Sequence, residues 1–126
     1  MNVLIVESKR HLAEFWRRAL ERLGAHVDIA SSQDQAADMA AAETYHIVVL
    51  DLILDEGSAF AVADFMNYRQ PDAQVIFVTN TSFFSGGSIF QLFSNACAYV
   101  HSETAPDDLA AIIEHYAANR QTGSRP

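Results

Sequence analysis

Four consecutive apolar residues, Ile47, Val48, Val49 and Leu50, run directly into a carboxylate, Asp51. A strand that is apolar at every position, rather than at every second one, is covered on both faces, the pattern of a parallel sheet between helical layers. Parallel neighbours are joined by crossovers of a dozen or more residues, so such a strand requires helices on either side of it in the chain. Residues 2–6 read as a first strand and residues 27–30 as a weak second one. Residues 46–50 are the third, with a fourth over 75–78 and a fifth over 98–100.

Between these runs lie longer amphipathic stretches. Over residues 9–23 the apolar Leu12, Phe15, Trp16, Ala19, Leu20 and Leu23 recur at spacings of three and four, with Arg17, Arg18, Glu21 and Arg22 between them. Ser8 is placed to cap the start of that helix and Gly24 its end. Ser31 or Ser32 caps an alanine-rich second helix ending near Glu43, and residues 58–68 carry Phe60, Val62, Ala63, Phe65 and Met66 as a third. A fourth, over residues 82–94, is weakened by Gly86-Gly87, and Thr104 with Asp107 resembles a capping box opening a fifth over residues 106–118. Residues 119–126 have the composition of a flexible C-terminal tail. These elements predict one α/β domain over residues 1–118, a doubly wound five-stranded parallel sheet with five helices and right-handed crossovers, with no output domain.

Composition narrows the function classes. With 50% hydrophobic residues in 126, the chain can build a core without disulfides or a structural metal. Its single cysteine, Cys97, has no partner within the chain, and no charged segment followed by an apolar run opens it, which together predict a reducing, cytoplasmic setting. No apolar run approaches the roughly 20 residues that span a bilayer. A net charge of −8 repels phosphate backbones and anionic lipid, so neither nucleic acid nor membrane is expected as a direct partner.

In a doubly wound sheet, ligands bind beyond the carboxyl ends of the strands, so the residues that follow each apolar run carry the function. These are Glu7-Ser8, Asp51, Thr79-Asn80 and His101-Ser102. Asp51 alone reads equally as the cap of the turn that follows it. Glu7, however, occupies the same place after the first strand, and two neighbouring carboxylates repel unless a cation or a proton separates them. A hard, oxygen-seeking ion such as Mg²⁺ suits that arrangement.

The segments 3–8 (Val-Leu-Ile-Val-Glu-Ser), 48–54 (Val-Val-Leu-Asp-Leu-Ile-Leu), 75–79 (Val-Ile-Phe-Val-Thr) and 98–100 (Ala-Tyr-Val) together resemble the receiver domain of two-component response regulators, of the single-domain chemotaxis-regulator kind. Each motif is weak alone; their order and placement at strand ends are the specific signal. The resemblance implies a flavodoxin-like fold with strand order 2-1-3-4-5. It also implies phosphoryl transfer from a histidine kinase or phosphotransfer protein onto Asp51. Carried over residue by residue, it assigns Mg²⁺ to Glu7, Asp51 and the backbone carbonyl of Ile53, the phosphoryl-binding hydroxyl to Thr79, and the aromatic switch to Tyr99. Its implied partners are that kinase and a downstream protein effector. A homodimer through the fourth helix, fifth strand and fifth helix is a further expectation, and the domain is expected not to be an enzyme.

Three positions depart from the family pattern. Ser8 stands where a second acidic residue is usual, Ser102 where a lysine is usual, and Asn80 where a small residue is usual. The chain's only lysine is Lys9, which reads as a substitute cation or as a solvated residue of the first helical turn. His101 is a second substitute, partly charged near neutrality. The rival reading is therefore a degenerate receiver, acting as a phosphorylation-independent interaction module. A flavodoxin-like enzyme or cofactor binder is disfavoured, since no glycine-rich phosphate loop follows any run. His11, His26, His46 and His115 lack metal-ligand spacing, and Cys97 and Trp16 read as core residues. Phe83, Phe84, Phe90 and Phe93 divide between core and partner surface.

Overall fold

The computed structural model describes residues 1–79 and 95–123, with side chains through residue 118. The strands are β1 (Asn2–Val6), β2 (His26–Ala30), β3 (Ile47–Asp51), β4 (Gln74–Thr79) and β5 (Ala96–His101). The described helices are α1 (Arg10–Arg22), α2 (Gln33–Ala42), α3 (Ala59–Arg69) and α4 (Pro106–Gly123), the last being the fifth in the sequence-based numbering. The expected helix over residues 82–94, with Asn80 and the four phenylalanines 83, 84, 90 and 93, lies outside the described residues.

All five strands are parallel, in the order β2-β1-β3-β4-β5, which is the expected doubly wound topology. Successive side chains of a strand point to opposite faces, and the two cores follow from that period. Val3, Ile5, Ile47, Val49, Ile76 and Val78 pack with Trp16 and Leu20 of α1 and with Leu109 and Ile113 of α4. Leu4, Val6, Val48, Leu50, Val75 and Phe77 pack on the other face with α2 and α3, through Ala36, Ala40, Val62 and Met66. Burying each Val, Ile or Leu stabilises by about 1.5–3 kcal/mol. The continuous apolar runs of β1 and β3 are thus the price of being covered on both sides.

Helix ends follow local chemistry. Ser32 and Ser58 cap α2 and α3, their hydroxyls accepting the N–H groups of Gln35 and Ala61. Leu23 ends α1, and Gly24, at φ 86°, turns the chain so that its own N–H reaches the Glu21 carbonyl and that of Ala25 reaches Leu20. Sequence periodicity misjudged some details. Ser8 does not cap α1, since Lys9 holds that position and no side chain caps it. Phe15 and Leu23, counted in the apolar stripe, are 50% and 44% exposed, and Ala13 takes the inward place. The C-terminal helix continues past residue 118 into the expected tail and is described through Gly123.

The outer strand β2 carries Asp28 at its centre, where its carboxylate accepts the Tyr45 hydroxyl at 2.7 Å. Burial and that neighbouring negative charge push the Tyr45 phenol above its usual range. Trp16 is fully buried, as expected, and burial pushes the half-buried Cys97 thiol up to about 12, leaving it an inert packing group. Among the described residues, no helix is long and apolar enough to cross a membrane.

At φ 86°, with open space around its missing side chain, Gly24 is constrained by backbone alone. Gly24→Ala is expected to cost about 1–2 kcal/mol in urea unfolding, and Gly24→Asn distinctly less, because Asn tolerates the left-handed region.

Candidate functional site

Strand order reverses between β1 and β3, the position where a doubly wound sheet forms its crevice. Val6 lies beside Leu50 in that pair, so the next residues of the two strands, Glu7 and Asp51, stand side by side. Each follows by two positions a residue packed under α1, Ile5 and Val49 respectively, which places both carboxylates on the α1 side of the sheet. The Glu7 N–H still bonds to the Ala30 carbonyl, holding it in strand geometry beyond β1. Glu7 is 1% and Asp51 7% exposed.

A cavity of about 80 Å³ opens at this point. Its lining residues include Glu7, Asp51 and Asp55, the serines Ser8 and Ser102, and Lys9. Ile53, 59% exposed, completes the rim. The structure thus brings together the three expected cation-holding residues, together with Lys9 and Ser102. Asp51 also performs the local role open to it, since its Oδ1 accepts the Ile53 N–H at 2.9 Å and so closes the turn after β3.

Among the described residues neither Glu7 oxygen makes a fully formed hydrogen bond, although the Ser8 and Lys9 N–H groups lie near enough to favour its charged form. Asp51 is another acceptor, able to bond Glu7 only when a proton lies between them. Burial first, then the Asp51 carboxylate, push Glu7 up to about 8, against a weaker opposing pull from the Ser8 and Lys9 N–H groups. Two buried oxygens without a fully formed hydrogen bond, beside a second carboxylate, form an anionic donor set of the kind that Mg²⁺ takes, completing its shell with carbonyl oxygen and water. Among the described residues no three His, Cys, Asp or Glu side chains gather as a ligand set. Such a pair suits a hard cation that keeps part of its water shell.

Thr79 is fully buried at the end of β4, one residue beyond Val78, the register partner of Asp51. Tyr99 is half-buried on β5 beside Phe77 of β4, and lines a separate open groove of about 420 Å³ with Ile112 and Tyr116. Ser102 is tied to this end of the sheet by its N–H, which bonds the Thr79 carbonyl at 2.8 Å. His101 is exposed, and its Nδ1 accepts the Glu103 N–H, which turns the ring toward its own loop. His46 Nδ1 accepts the Asn2 N–H at 2.9 Å, in keeping with a strand-end role.

Sequence reasoning missed what Ser8 does. Its hydroxyl donates to the Ser31 carbonyl at 3.0 Å and accepts the Asp55 N–H at 2.9 Å, joining three loops. It also missed Gln33, whose Oε1 accepts the Ser58 N–H at 2.8 Å. No local pattern announces these contacts, because all three bonds span more than 20 positions of the chain.

The family model described as the response regulator receiver domain matches residues 3–114. The chain belongs to that family. Among solved structures it is similar to a CheY-like response regulator receiver domain from Methanospirillum hungatei JF-1, at 21% identity and TM-score 0.87, over 97% of each chain. It is similar also to the N-terminal domain of a response regulator/sensory box/GGDEF protein from Carboxydothermus hydrogenoformans, at 20% identity and TM-score 0.86, over 99% of this chain and 100% of that one. A third is a response regulator from Burkholderia pseudomallei, solved with a phosphorylated aspartic acid, a calcium ion and citrate, at 25% identity and TM-score 0.78, over 98% of this chain and 72% of that one. No curated protein sequence is matched.

Folded Glu7 binds its proton more tightly than the unfolded chain, whose value is 4.5. Between about pH 4.5 and 8 the folded state therefore holds the extra proton, and stability falls as pH rises through that window. Thermal melts in EDTA are expected to show a lower Tm near pH 8 than near pH 5, with Glu7→Gln removing more than half of that fall.

Proposed function

We propose that this receiver domain accepts a phosphoryl group on Asp51 from a histidine kinase or phosphotransfer protein, and signals in the cytoplasm through contacts with a protein effector rather than by turning over a substrate. The observation that carries the reading is the pair formed by Asp51 and the unpartnered, buried Glu7, side by side in a cavity at the switch point of the sheet. The phosphorylated aspartic acid and the calcium ion recorded with the Burkholderia protein support the same chemistry.

In this reading Glu7, Asp51 and the Ile53 carbonyl hold Mg²⁺. When bound, the cation offsets the negative charge of the carboxylates and of the incoming group. The Ile53 N–H fixes Asp51 through Oδ1 and leaves Oδ2 to attack phosphorus. The new Oδ2–P bond forms as the P–N bond to the donor histidine breaks, and the imidazole nitrogen leaves with the electron pair. Such transfer asks mainly for alignment and for donors to the equatorial oxygens. Thr79 supplies one hydroxyl and Ser102 a second. Lys9, lining the same cavity, supplies the positive charge that usually comes from the position of Ser102. Tyr99 follows Thr79 and carries the change toward the β5 and α4 surface, where an effector or a second copy docks.

Intact-mass spectrometry after incubation with a small-molecule phosphodonor and Mg²⁺ tests this directly. One phosphoryl adduct is expected, absent in Asp51→Asn and without Mg²⁺, with Thr79→Ala slowing its formation by roughly 100-fold. A folded protein that gains no adduct would instead be a phosphorylation-independent interaction module, the reading that Ser8 and Ser102 favour.

A further inference from the structure

The segment between β3 and α3, residues 52–58, supplies Ile53 to the cavity and yet has little apolar anchorage. Leu52 is buried and Leu54 partly so, but Ile53 and residues 55–58 are exposed. What fixes its shape is a set of polar ties from the loop after β1 and from the first residue of α2. The Ser8 hydroxyl takes the Asp55 N–H and gives its own proton to Ser31. Gln33 takes the Ser58 N–H through Oε1 and donates its backbone N–H to the Glu56 carbonyl at 3.2 Å. Between these two contacts sits Gly57, at φ 94°, where a Cβ would lie 2.3 Å from the Cβ of Gln33. Only glycine there lets the Gln33 side chain lie against the loop.

Ser8 occupies the position of a missing acidic residue, and its hydroxyl is bonded on both sides to backbone. Its influence on the cavity therefore runs through the loop it holds. We propose that Ser8 and Gln33 are positioning residues, which hold residues 52–58 in the cation-ready conformation so that Mg²⁺ binds without first ordering that segment. This rests on the functional reading above, in which Glu7, Asp51 and Ile53 hold Mg²⁺. A preordered loop removes an ordering cost from the affinity, so each lost tie appears as weaker binding.

The experiment pairs amide hydrogen exchange with calorimetric Mg²⁺ titration, on the wild type, Ser8→Ala, Ser8→Thr and Gln33→Ala. Without metal, Ser8→Ala is expected to speed exchange at Asp55, and Gln33→Ala at Ser58, each by about fivefold or more, the equivalent of one net hydrogen bond. Mg²⁺ affinity should fall by a similar factor in both. Ser8→Thr, which keeps the hydroxyl, should restore exchange and affinity together, a rescue that loss of general stability would not produce. Unchanged exchange at both amides would overturn the proposal, as would faster exchange with wild-type affinity. A wild type that binds no Mg²⁺ would overturn the functional reading itself, and the role given to the loop with it.

Discussion

Two carboxylates, Glu7 and Asp51, are held side by side where water scarcely reaches them. In a medium of low polarity such a pair cannot both stay ionised unaided, and the fold does not let them separate, because β1 and β3 are adjacent and in register. The apolar runs beneath them make that adjacency rigid. Val3 to Val6 and Ile47 to Leu50 are completely buried, so neither strand can slip without exposing a layer of core. The same packing that stabilises the domain thus imposes an electrostatic demand at its rim, and a proton or a cation has to meet it.

The departures at Ser8 and Ser102 are easier to understand as a pair. Relative to the family pattern the first removes a negative charge and the second a positive one, so the net charge of the cavity wall is conserved. What changes is the kind of contact. A carboxylate that would address an ion becomes a hydroxyl that addresses backbone, and a long cationic side chain becomes a short polar one on the same wall. Lys9 lines the cavity from the end of β1, whereas Ser102 lines it from the end of β5, on the other side of the crevice.

The two helical layers and the Glu7–Asp51 pair were legible in the sequence through short-range patterning, namely uninterrupted apolar runs, helical spacing and the residue that ends each run, whereas the strand order is a long-range property that came from the family resemblance. Boundaries were less legible. Phe15 satisfies the helical spacing of α1 yet is half exposed, since apolar periodicity cannot say how wide the covered stripe is, and it is Ala13 that turns inward. Ser8 carries the chemistry of a helix cap, and that local option lost to two backbone partners 23 and 47 positions away. Gln33 gave no signal at all. Its role depends on the bare backbone of Gly57, which comes opposite it only when the sheet is assembled.

The Asp28–Tyr45 bond has a meaning for assembly. β2 is the outermost strand on its side of the sheet, and an outermost strand normally offers its backbone to any other extended chain. Here the middle of that strand carries a carboxylate fastened to a buried phenol, with His26 3.6 Å from it. A strand added alongside would have to strip water from that carboxylate without replacing it. That border of the sheet is thereby made inhospitable to amyloid-like stacking.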